Sequence, residues 1–110
     1  MKETYREKFV VPTYMCAVDR RLRIDKFIDL FNETCHHDLT DEGRSYYKLM
    51  ETGKSLLLNN SELDIIEYPL FFDEIELSTT LFKPQGVLIP RVVEAKKDGR
   101  LIAKLKTSWI

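Results

Sequence analysis

The spacing of apolar residues changes after residue 19, and this change constrains the fold more than any other feature of the sequence. Up to that point the chain has the alternating texture of a strand. Beyond it, apolar residues recur at the three- and four-residue intervals of a helix: Leu22, Ile24, Phe27, Ile28, Leu30 and Phe31. We expect one helix over about residues 25–37 or slightly beyond, with Asp25 as its N-cap. Two of its faces are largely apolar, so it must be more deeply buried than an ordinary surface helix.

Five segments rich in β-branched and aromatic residues are typical of strands. One precedes the helix at residues 7–18, where Pro12 implies an edge position or a bulge because proline cannot donate to a ladder. The others follow it, at residues 56–58 with 63–68 as one long segment, 75–82, 87–95 and 100–110. A short second helix is expected over residues 44–51. The pair Asp98-Gly99 between the last two strands is the strongest hairpin signal in the sequence.

The order of these segments predicts an α+β fold. One strand, one buried helix and then four strands in a meander require that a single antiparallel sheet covers the helix. A length of 110 residues fits one domain, which we place at residues 1–110, and leaves no room for two ordinary cores.

Composition and charge exclude several classes of function. The formal net charge is −1, so no overall field attracts nucleic acid or an anionic membrane surface. No apolar run approaches the ~20 residues that cross a bilayer, and residues 1–8 are charged and lack the apolar core of a signal peptide. Two cysteines, Cys16 and Cys35, are too few for a disulfide framework, so we expect reduced thiols in a cytoplasmic protein.

Several short motifs follow one another in a fixed order along nearly the whole chain. They are Val18-Asp19 with Arg21-Leu22, the helix segment Asn32-Glu33-Thr34-Cys35-His36-His37, Gly43 and Gly53 around Leu49, Glu67-Tyr68-Pro69, Phe72-Asp73-Glu74 with Thr79, Asp98-Gly99 and Ser108-Trp109. As an ordered set they resemble the hot-dog acyl-acyl-carrier-protein (acyl-ACP) thioesterases, in particular the first of the two hot-dog repeats in those enzymes. The sequence departs from that family at Leu56, Asn60 and Thr80, where tryptophan or a basic residue is usual. The resemblance implies a hot-dog fold, in which a curled antiparallel sheet wraps one central helix.

The resemblance also implies a function. It predicts a hydrolase that cleaves acyl-ACP, or acyl-CoA, to a free fatty acid, with a role in fatty acid biosynthesis and no cofactor. The family's catalytic residues lie in its second repeat, which this sequence does not contain. The alternative is therefore a non-catalytic hot-dog module that binds acyl chains or pairs with a partner hot-dog domain. Because a lone domain of this kind leaves sheet edges open, we expect a homodimer or a higher homo-oligomer.

Three residues are candidates for catalysis. Glu33 and His37 are four residues apart and so share a helix face, where a carboxylate can orient an imidazole that activates water. Their alternative interpretation is an exposed ion pair. Asp19 stands where similar single-domain acyl-CoA thioesterases keep a catalytic aspartate, and its alternative is a turn residue paired with arginine. The resemblance to hot-dog enzymes also implies that backbone N–H groups at the helix start, around residues 24–27, are the donors to a developing oxyanion.

Three other residues are candidates for substrate binding. Asn32 is a candidate donor to a thioester carbonyl, with a polar residue that satisfies the core as the alternative. Leu56 and Leu58 are candidates for the wall of an acyl pocket, or for core or dimer contacts.

The run Cys35-His36-His37 does not predict a metal site. Adjacent histidines point about 100° apart on a helix, and no second cluster of ligands follows. Cys35 is interpreted as a small buried residue, with a nucleophile as the alternative.

Overall fold

The fold is described by a computed structural model that covers residues 3–41, 58–83, 85–86 and 88–109. Within these residues, one five-stranded antiparallel sheet lies against one long helix, which confirms the α+β prediction. The elements in chain order are β1 (Glu3–Val10), a 3₁₀ turn (Thr13–Met15), α1 (Ile24–Asp41), β2 (Leu58–Ile65), β3 (Glu74–Leu81), β4 (Ile89–Lys97) and β5 (Arg100–Trp109).

The helix α1 begins at Ile24 and ends at Asp41, so it starts one residue before the predicted range and extends beyond it. Asp25 is therefore in the first turn instead of at the N-cap, and that prediction is wrong. Its carboxylate accepts a hydrogen bond from the Arg23 side chain at 3.0 Å. A negative charge in the first turn remains favourable, because it faces the positive end of the helix dipole.

The predicted apolar face of α1 forms the centre of the core. Phe27 and Phe31 are fully buried and Leu30 is 7% exposed, which confirms the expected burial. The two phenylalanine rings form a tilted pair with centroids 4.8 Å apart. The buried apolar residues that form one cluster with them are Val11, Leu22, Cys35, Ile75, Leu77, Val93, Ala95, Ile102, Ala103 and Leu105.

The strands are ordered β1-β3-β4-β5-β2 across the sheet. The predicted meander is therefore correct for β3, β4 and β5 but wrong for β2, which pairs with β5 at the far edge. The segment 66–73 crosses one end of the sheet instead of turning back. Ile66 and Glu67 donate their N–H groups to the carbonyl oxygen of Ile102 at 2.7 and 3.1 Å, and Phe72 donates to Val11 at 2.7 Å. The meander prediction failed because it assumed that strands adjacent in sequence also pair.

The first two strands end earlier than predicted. β1 ends at Val10 instead of residue 18, because a 3₁₀ turn at Thr13–Met15 follows Pro12. β1 is an edge strand, although Pro12 lies beyond its end and not within it. β2 ends at Ile65 instead of residue 68. The helix expected at residues 44–51 lies outside the described residues.

The last three strands agree with the prediction to within two residues at each end. β4 and β5 form the predicted hairpin, in which Lys97 pairs with Arg100. The two residues between them, Asp98 and Gly99, have φ values of 51° and 80°. Positive φ at both central positions is the requirement of a type I′ turn, which explains the Asp-Gly pair.

A buried ion pair joins the second half of α1 to the sheet. Asp38 and Arg91 are 4% and 5% exposed, and their carboxylate oxygen and guanidinium nitrogen are 2.7 Å apart. Arg91 also donates to the hydroxyl of Thr79 at 2.9 Å, and its carbonyl accepts a hydrogen bond from Thr107. Two charges removed from water are tolerated only because each satisfies the other.

Breaking this pair from one side should destabilise the fold strongly. Arg91→Met leaves the Asp38 carboxylate buried without its partner, and we expect the free energy of unfolding to fall by about 3–5 kcal/mol. Adding Asp38→Leu should recover most of that loss, because the second change removes the uncompensated charge. Urea unfolding followed by circular dichroism measures both effects.

The control for this experiment is the exposed pair of Arg100 and Glu67, whose charged atoms are 3.0 Å apart. Arg100→Met should cost less than about 1 kcal/mol, because the pair is largely hydrated. The variant Asp38→Leu is also measured alone. If the free energy of unfolding falls in the double variant by the sum of its falls in the two single variants, the two charges are not coupled and the explanation is wrong.

Candidate functional site

The candidate catalytic pair lies on the flank of α1, beside the edge strand β1. Nε2 of His37 is 3.2 Å from Oε1 of Glu33, so the two side chains share a helix face as their spacing predicts. The His37 side chain is 47% exposed and that of Glu33 is 63% exposed. Solvent therefore reaches both groups.

A second carboxylate, not anticipated from the sequence, contacts the other ring nitrogen. Nδ1 of His37 is 2.7 Å from Oε2 of Glu7 on β1. The Glu7 side chain is only 21% exposed, and the hydroxyl groups of Tyr5 and Thr34 donate to its two oxygens at 3.1 and 2.9 Å. The imidazole thus lies between a well-anchored carboxylate on the strand and an exposed one on the helix.

The alternation of β1 explains why Glu7 faces the helix. Tyr5, Glu7 and Phe9 are half-buried while the residues between them are exposed, so the period of two points all three toward α1. Glu7 also pairs in register with the fully buried Leu77 of β3. A carboxylate in the inward phase of a strand is a sequence signal for an unusual residue, although it does not indicate the partner of Glu7.

The two carboxylates favour the protonated form of the imidazole. The hydrogen bond to Glu7 is the main cause that raises the pKa of His37 above its ordinary 6.5. Partial burial opposes the rise, and the negative charges of Glu7 and Glu33 add to it. A raised pKa makes the neutral ring a stronger base and reduces the fraction of the protein in which the ring is neutral.

Asp19 lies at the other end of α1, in the loop before the helix. Its carboxylate accepts the backbone N–H of Arg21 at 3.1 Å and forms an exposed ion pair with the Arg21 side chain at 3.5 Å. The first N–H groups of α1 are at the same end, and that of Phe27 already donates to the carbonyl of Arg23. The candidate oxyanion donors are therefore those of residues 24–26.

The structure does not bring the three candidate catalytic residues together. At about 1.5 Å per residue, α1 carries His37 about 20 Å along the helix axis from Ile24, and so away from the loop that holds Asp19. Glu33 and His37 form one group. Asp19, in the loop before Ile24, and the N–H groups of the helix start lie toward the other end of α1.

Of the three predicted binding residues, only Asn32 has a described side chain. It is exposed, so its interpretation as a residue that satisfies the core is wrong. Because successive residues are about 100° apart around a helix, Asn32 lies about 140° from His37. Leu58 begins β2 and pairs with Trp109 of β5, while Leu56 and the side chain of Leu58 lie outside the described residues.

Two further polar residues, Asp38 and Arg91, escaped prediction although the sequence carries a signal for each. Steps of three and four residues along α1 from Phe31 lead to Thr34 and Asp38, which continue the buried stripe of the helix. Arg91 stands in the same inward phase of β4 as the fully buried Val93. A polar residue in a buried phase on two different elements is the pattern of an internal ion pair.

Cys35 has the environment of a core residue. It is 8% exposed, its Sγ is 3.9 Å from the Thr79 hydroxyl, and burial raises the pKa of its thiol. Both Cys16 and Cys35 are free thiols. Among the described residues, no three histidine, cysteine, aspartate or glutamate side chains are grouped as metal ligands. In the same part of the chain, no helix combines the length and the hydropathy needed to cross a membrane.

The fold matches solved structures of thioesterases at low sequence identity. An acyl-ACP thioesterase from Bacteroides thetaiotaomicron aligns with a TM-score of 0.88 and 16% identity, over 96% of this chain and 44% of that chain. An oleoyl thioesterase structure from Lactobacillus plantarum aligns with 0.89 and 16%, over 98% and 42%. A 1,4-dihydroxy-2-naphthoyl-CoA thioesterase from Synechocystis aligns with 0.87 and 15%, over 98% and 81%. The chain thus spans less than half the length of the first two proteins.

These likenesses define the class of the protein, an α+β domain with the hot-dog fold of thioesterases, as the sequence resemblance implies. Residues 2–110 match the profile of the acyl-ACP thioesterase N-terminal domain. The chain belongs to this family. Comparison of the sequence with curated proteins finds no match.

The contacts of His37 should make the stability of the fold depend on pH. A histidine whose folded pKa is raised contributes stability that is fully present below its unfolded value, near 6.5, and is lost as pH rises through the folded pKa. We therefore expect His37→Gln to lower the urea midpoint at about pH 5.5. The difference from the wild type should shrink by about pH 9.

Asn32→Ala is the matched control, since it removes an exposed side chain without a titratable group from the same helix. It should leave the pH dependence of the urea midpoint as in the wild type. An effect of His37→Gln that is constant from acid to alkaline pH would show that the loss is one of packing and not of charge.

Proposed function

We propose that this domain hydrolyses acyl thioesters and releases a free fatty acid from a thiol carrier. The observation that carries the proposal is the solvent-exposed imidazole of His37, with a carboxylate within hydrogen-bond distance of each ring nitrogen. The match of residues 2–110 to an acyl-ACP thioesterase domain supports ACP as the carrier. The similar protein from Synechocystis is named for a CoA thioester, so CoA is the second carrier to test. Such a reaction belongs to fatty acid biosynthesis in the cytoplasm, where free thiols stay reduced.

In this proposal His37 is the general base. Its neutral Nε2 takes a proton from a water molecule, and the hydroxide oxygen forms a bond to the thioester carbonyl carbon. The C–S bond then breaks, and the imidazolium returns its proton to the departing sulfur. Glu33 stabilises the imidazolium while it exists, because an opposite charge nearby favours the charged form. The products are a carboxylic acid and a free thiol, and no cofactor takes part.

Three residues are proposed to bind the substrate. The amide of Asn32 is proposed to donate to a polar group of the substrate other than the carbonyl attacked at His37, because Asn32 lies about 140° around α1 from that ring. Leu58 begins β2, and Leu56 stands two residues before it in the sequence. Both are proposed to contact the acyl chain.

Asp19 is the second candidate position for the chemistry. Its carboxylate lies at the same end of α1 as the N–H groups of residues 24–26, where the helix dipole favours a developing negative charge. In this arrangement Asp19 activates the water, and the helix start stabilises the oxyanion. The two positions are far enough apart for substitutions to distinguish them.

A hydrolysis screen of acyl-ACP and acyl-CoA thioesters of increasing chain length tests the proposal. We expect turnover by the wild-type protein and a fall in kcat of about 10²-fold or more in His37→Ala, the usual scale for loss of a general base. Glu33→Ala should also lower kcat, because Glu33 stabilises the imidazolium. His36→Ala is the matched control on the exposed side of the same helix, and it should keep the wild-type kcat.

Asp19→Ala separates the two positions in the same assay. A loss of turnover in this variant alone moves the chemistry to the start of α1. Wild-type kcat in all three folded variants, His37→Ala, Glu33→Ala and Asp19→Ala, would falsify the assignment of catalytic residues.

The second candidate function is a hot-dog module that binds without turnover. The match to an N-terminal domain, and the coverage of only 44% and 42% of the first two relatives, favour it. Such a module binds acyl chains or pairs with a partner hot-dog domain. Calorimetric binding of an acyl thioether, which cannot be hydrolysed, combined with no turnover in the screen, identifies this function.

We further propose that the domain acts as a homodimer or a higher homo-oligomer. Within the described residues, β1 and β2 are the two edge strands of the sheet, and the unpaired backbone groups of an edge strand invite association. A single chain also holds its helix-start N–H groups about 20 Å from His37. A second copy related by a two-fold axis is a means of placing one helix start beside the His37 of the other chain.

Sedimentation equilibrium at micromolar concentration tests the assembly. We expect a mass of twice the 13.0 kDa chain, or a higher multiple for a larger oligomer. A single species at the mass of one chain contradicts the proposal. His37 and the helix-start N–H groups would then remain at opposite ends of α1.

A further inference from the structure

We propose that Glu7 on β1 is a positioning residue, which holds Nδ1 of His37 and turns Nε2 toward the reacting water. The inference rests on the function proposed above, and it gives a role to a strand residue that lies outside all the sequence motifs. Glu7 acts through His37 and does not itself touch the substrate.

Several hydrogen bonds fix the Glu7 carboxylate in its contact with His37. Both carboxylate oxygens lie within hydrogen-bond distance of Nδ1, at 3.0 and 2.7 Å. The hydroxyl of Thr34 donates to one oxygen at 2.9 Å, and the hydroxyl of Tyr5 donates to the other at 3.1 Å. Thr34 is fully buried, and its hydroxyl also lies 3.0 Å from the carbonyl oxygen of Leu30 in the preceding turn. Hydrogen bonds from both β1 and α1 therefore fix the carboxylate independently of its contact with the imidazole.

Glu33 contacts the same ring much less firmly. Its distance to Nε2 is 3.2 Å against 2.7 Å for Glu7 and Nδ1, and its side chain is 63% exposed against 21%. An exposed carboxylate on the same helix exchanges readily between the ring and water. Nδ1 is thus the anchored nitrogen, and Nε2 is the nitrogen that becomes available to substrate and water.

The chemistry of the acceptor determines the tautomer. An ionised carboxylate accepts hydrogen bonds and has no proton to donate, so the Nδ1 that faces Glu7 must carry the ring proton. When the ring is neutral, Nε2 therefore has the free lone pair that a general base needs. The same division of labour, a buried carboxylate on one ring nitrogen and the reaction at the other, operates in hydrolytic triads.

Nitrogen-15 NMR of the His37 ring tests this geometry without any need for turnover. Glu7→Gln keeps the size of the side chain, but an amide either donates or accepts and no longer selects one tautomer. We expect the wild type to show the Nδ1–H tautomer and Glu7→Gln to show a mixture of tautomers with a lowered pKa. Among the described residues, Glu7 and Glu33 are the charged groups that face the ring, so Glu33→Gln is the comparison, and its effect should be smaller.

Glu76→Gln is the matched control for these variants. Glu76 lies on the neighbouring strand β3, on the face of the sheet opposite to the helix, where it pairs in register with Lys8. The substitution should leave the His37 titration unchanged. Thermal unfolding of each variant shows that the fold is retained.

The pH profile of thioester hydrolysis supplies the functional readout. Turnover needs neutral His37, so the acid limb of kcat/KM follows the pKa of that ring. Glu7→Gln lowers this pKa and should move the limb to lower pH, while the plateau of kcat/KM falls by at least about tenfold, because the wrong tautomer presents a protonated Nε2. If Glu7 had only a structural role, its replacement would shift neither the tautomer of His37 nor the acid limb of the pH profile.

Three results overturn the inference. One is a Glu7→Gln variant with the wild-type tautomer and titration. Another is a larger change in Glu33→Gln than in Glu7→Gln, which makes Glu33 the positioning group. The third is an unchanged plateau of kcat/KM in a Glu7→Gln variant whose tautomer is mixed. If the wild type shows no hydrolysis, the proposed function fails, and with it the catalytic role of Glu7, whereas the NMR titration still decides the geometry independently.

Discussion

The packing of α1 across the inner face of the sheet is the interaction on which the rest of the structure depends. Phe27 and Phe31 are fully buried at its centre, and the apolar residues of β3, β4 and β5 close around them. Because a single helix covers this face within the described residues, each side chain on its buried half meets a strand. A polar residue on that half must then find its partner on the sheet, since burial without a partner is costly.

The second half of α1 shows the consequence. Thr34 and Asp38 continue the buried stripe that Phe27 and Phe31 begin, and both find partners on strands. Asp38 pairs with Arg91 of β4, and Thr34 donates to Glu7 of β1. The first half of the helix contributes the apolar core, whereas the second half determines how the helix is rotated over the sheet. His37 lies between Thr34 and Asp38 in the sequence, so the contacts that set the rotation of the helix also place its ring beside Glu7.

Local pattern predicted the elements better than the contacts between them. The burial of Phe27 and the shared face of Glu33 and His37 follow from helical periodicity alone, and the turn at Asp98-Gly99 follows from its need for positive φ. Glu7 could not be assigned in this way, because its contact with His37 joins residues thirty positions apart. That contact exists only because β1 pairs with β3, a neighbour that the segment 66–73 makes possible by carrying the chain across the sheet. Strand order is a property of the whole chain, which no local pattern contains.

The length of α1 sets two chemically different environments apart. The start of the helix carries backbone N–H groups and the positive end of the dipole, which suit a developing oxyanion. The flank near the other end carries His37 between two carboxylates, which suit proton transfer but repel an anionic intermediate. With His37 as the base, hydrolysis needs both properties at one carbonyl carbon, and about 20 Å of helix separates them within one chain. A pair of hot-dog domains with opposed helices removes this difficulty, because the start of one helix then lies beside the flank of the other. With His37 as the base, the chemistry of this fold therefore depends on its assembly.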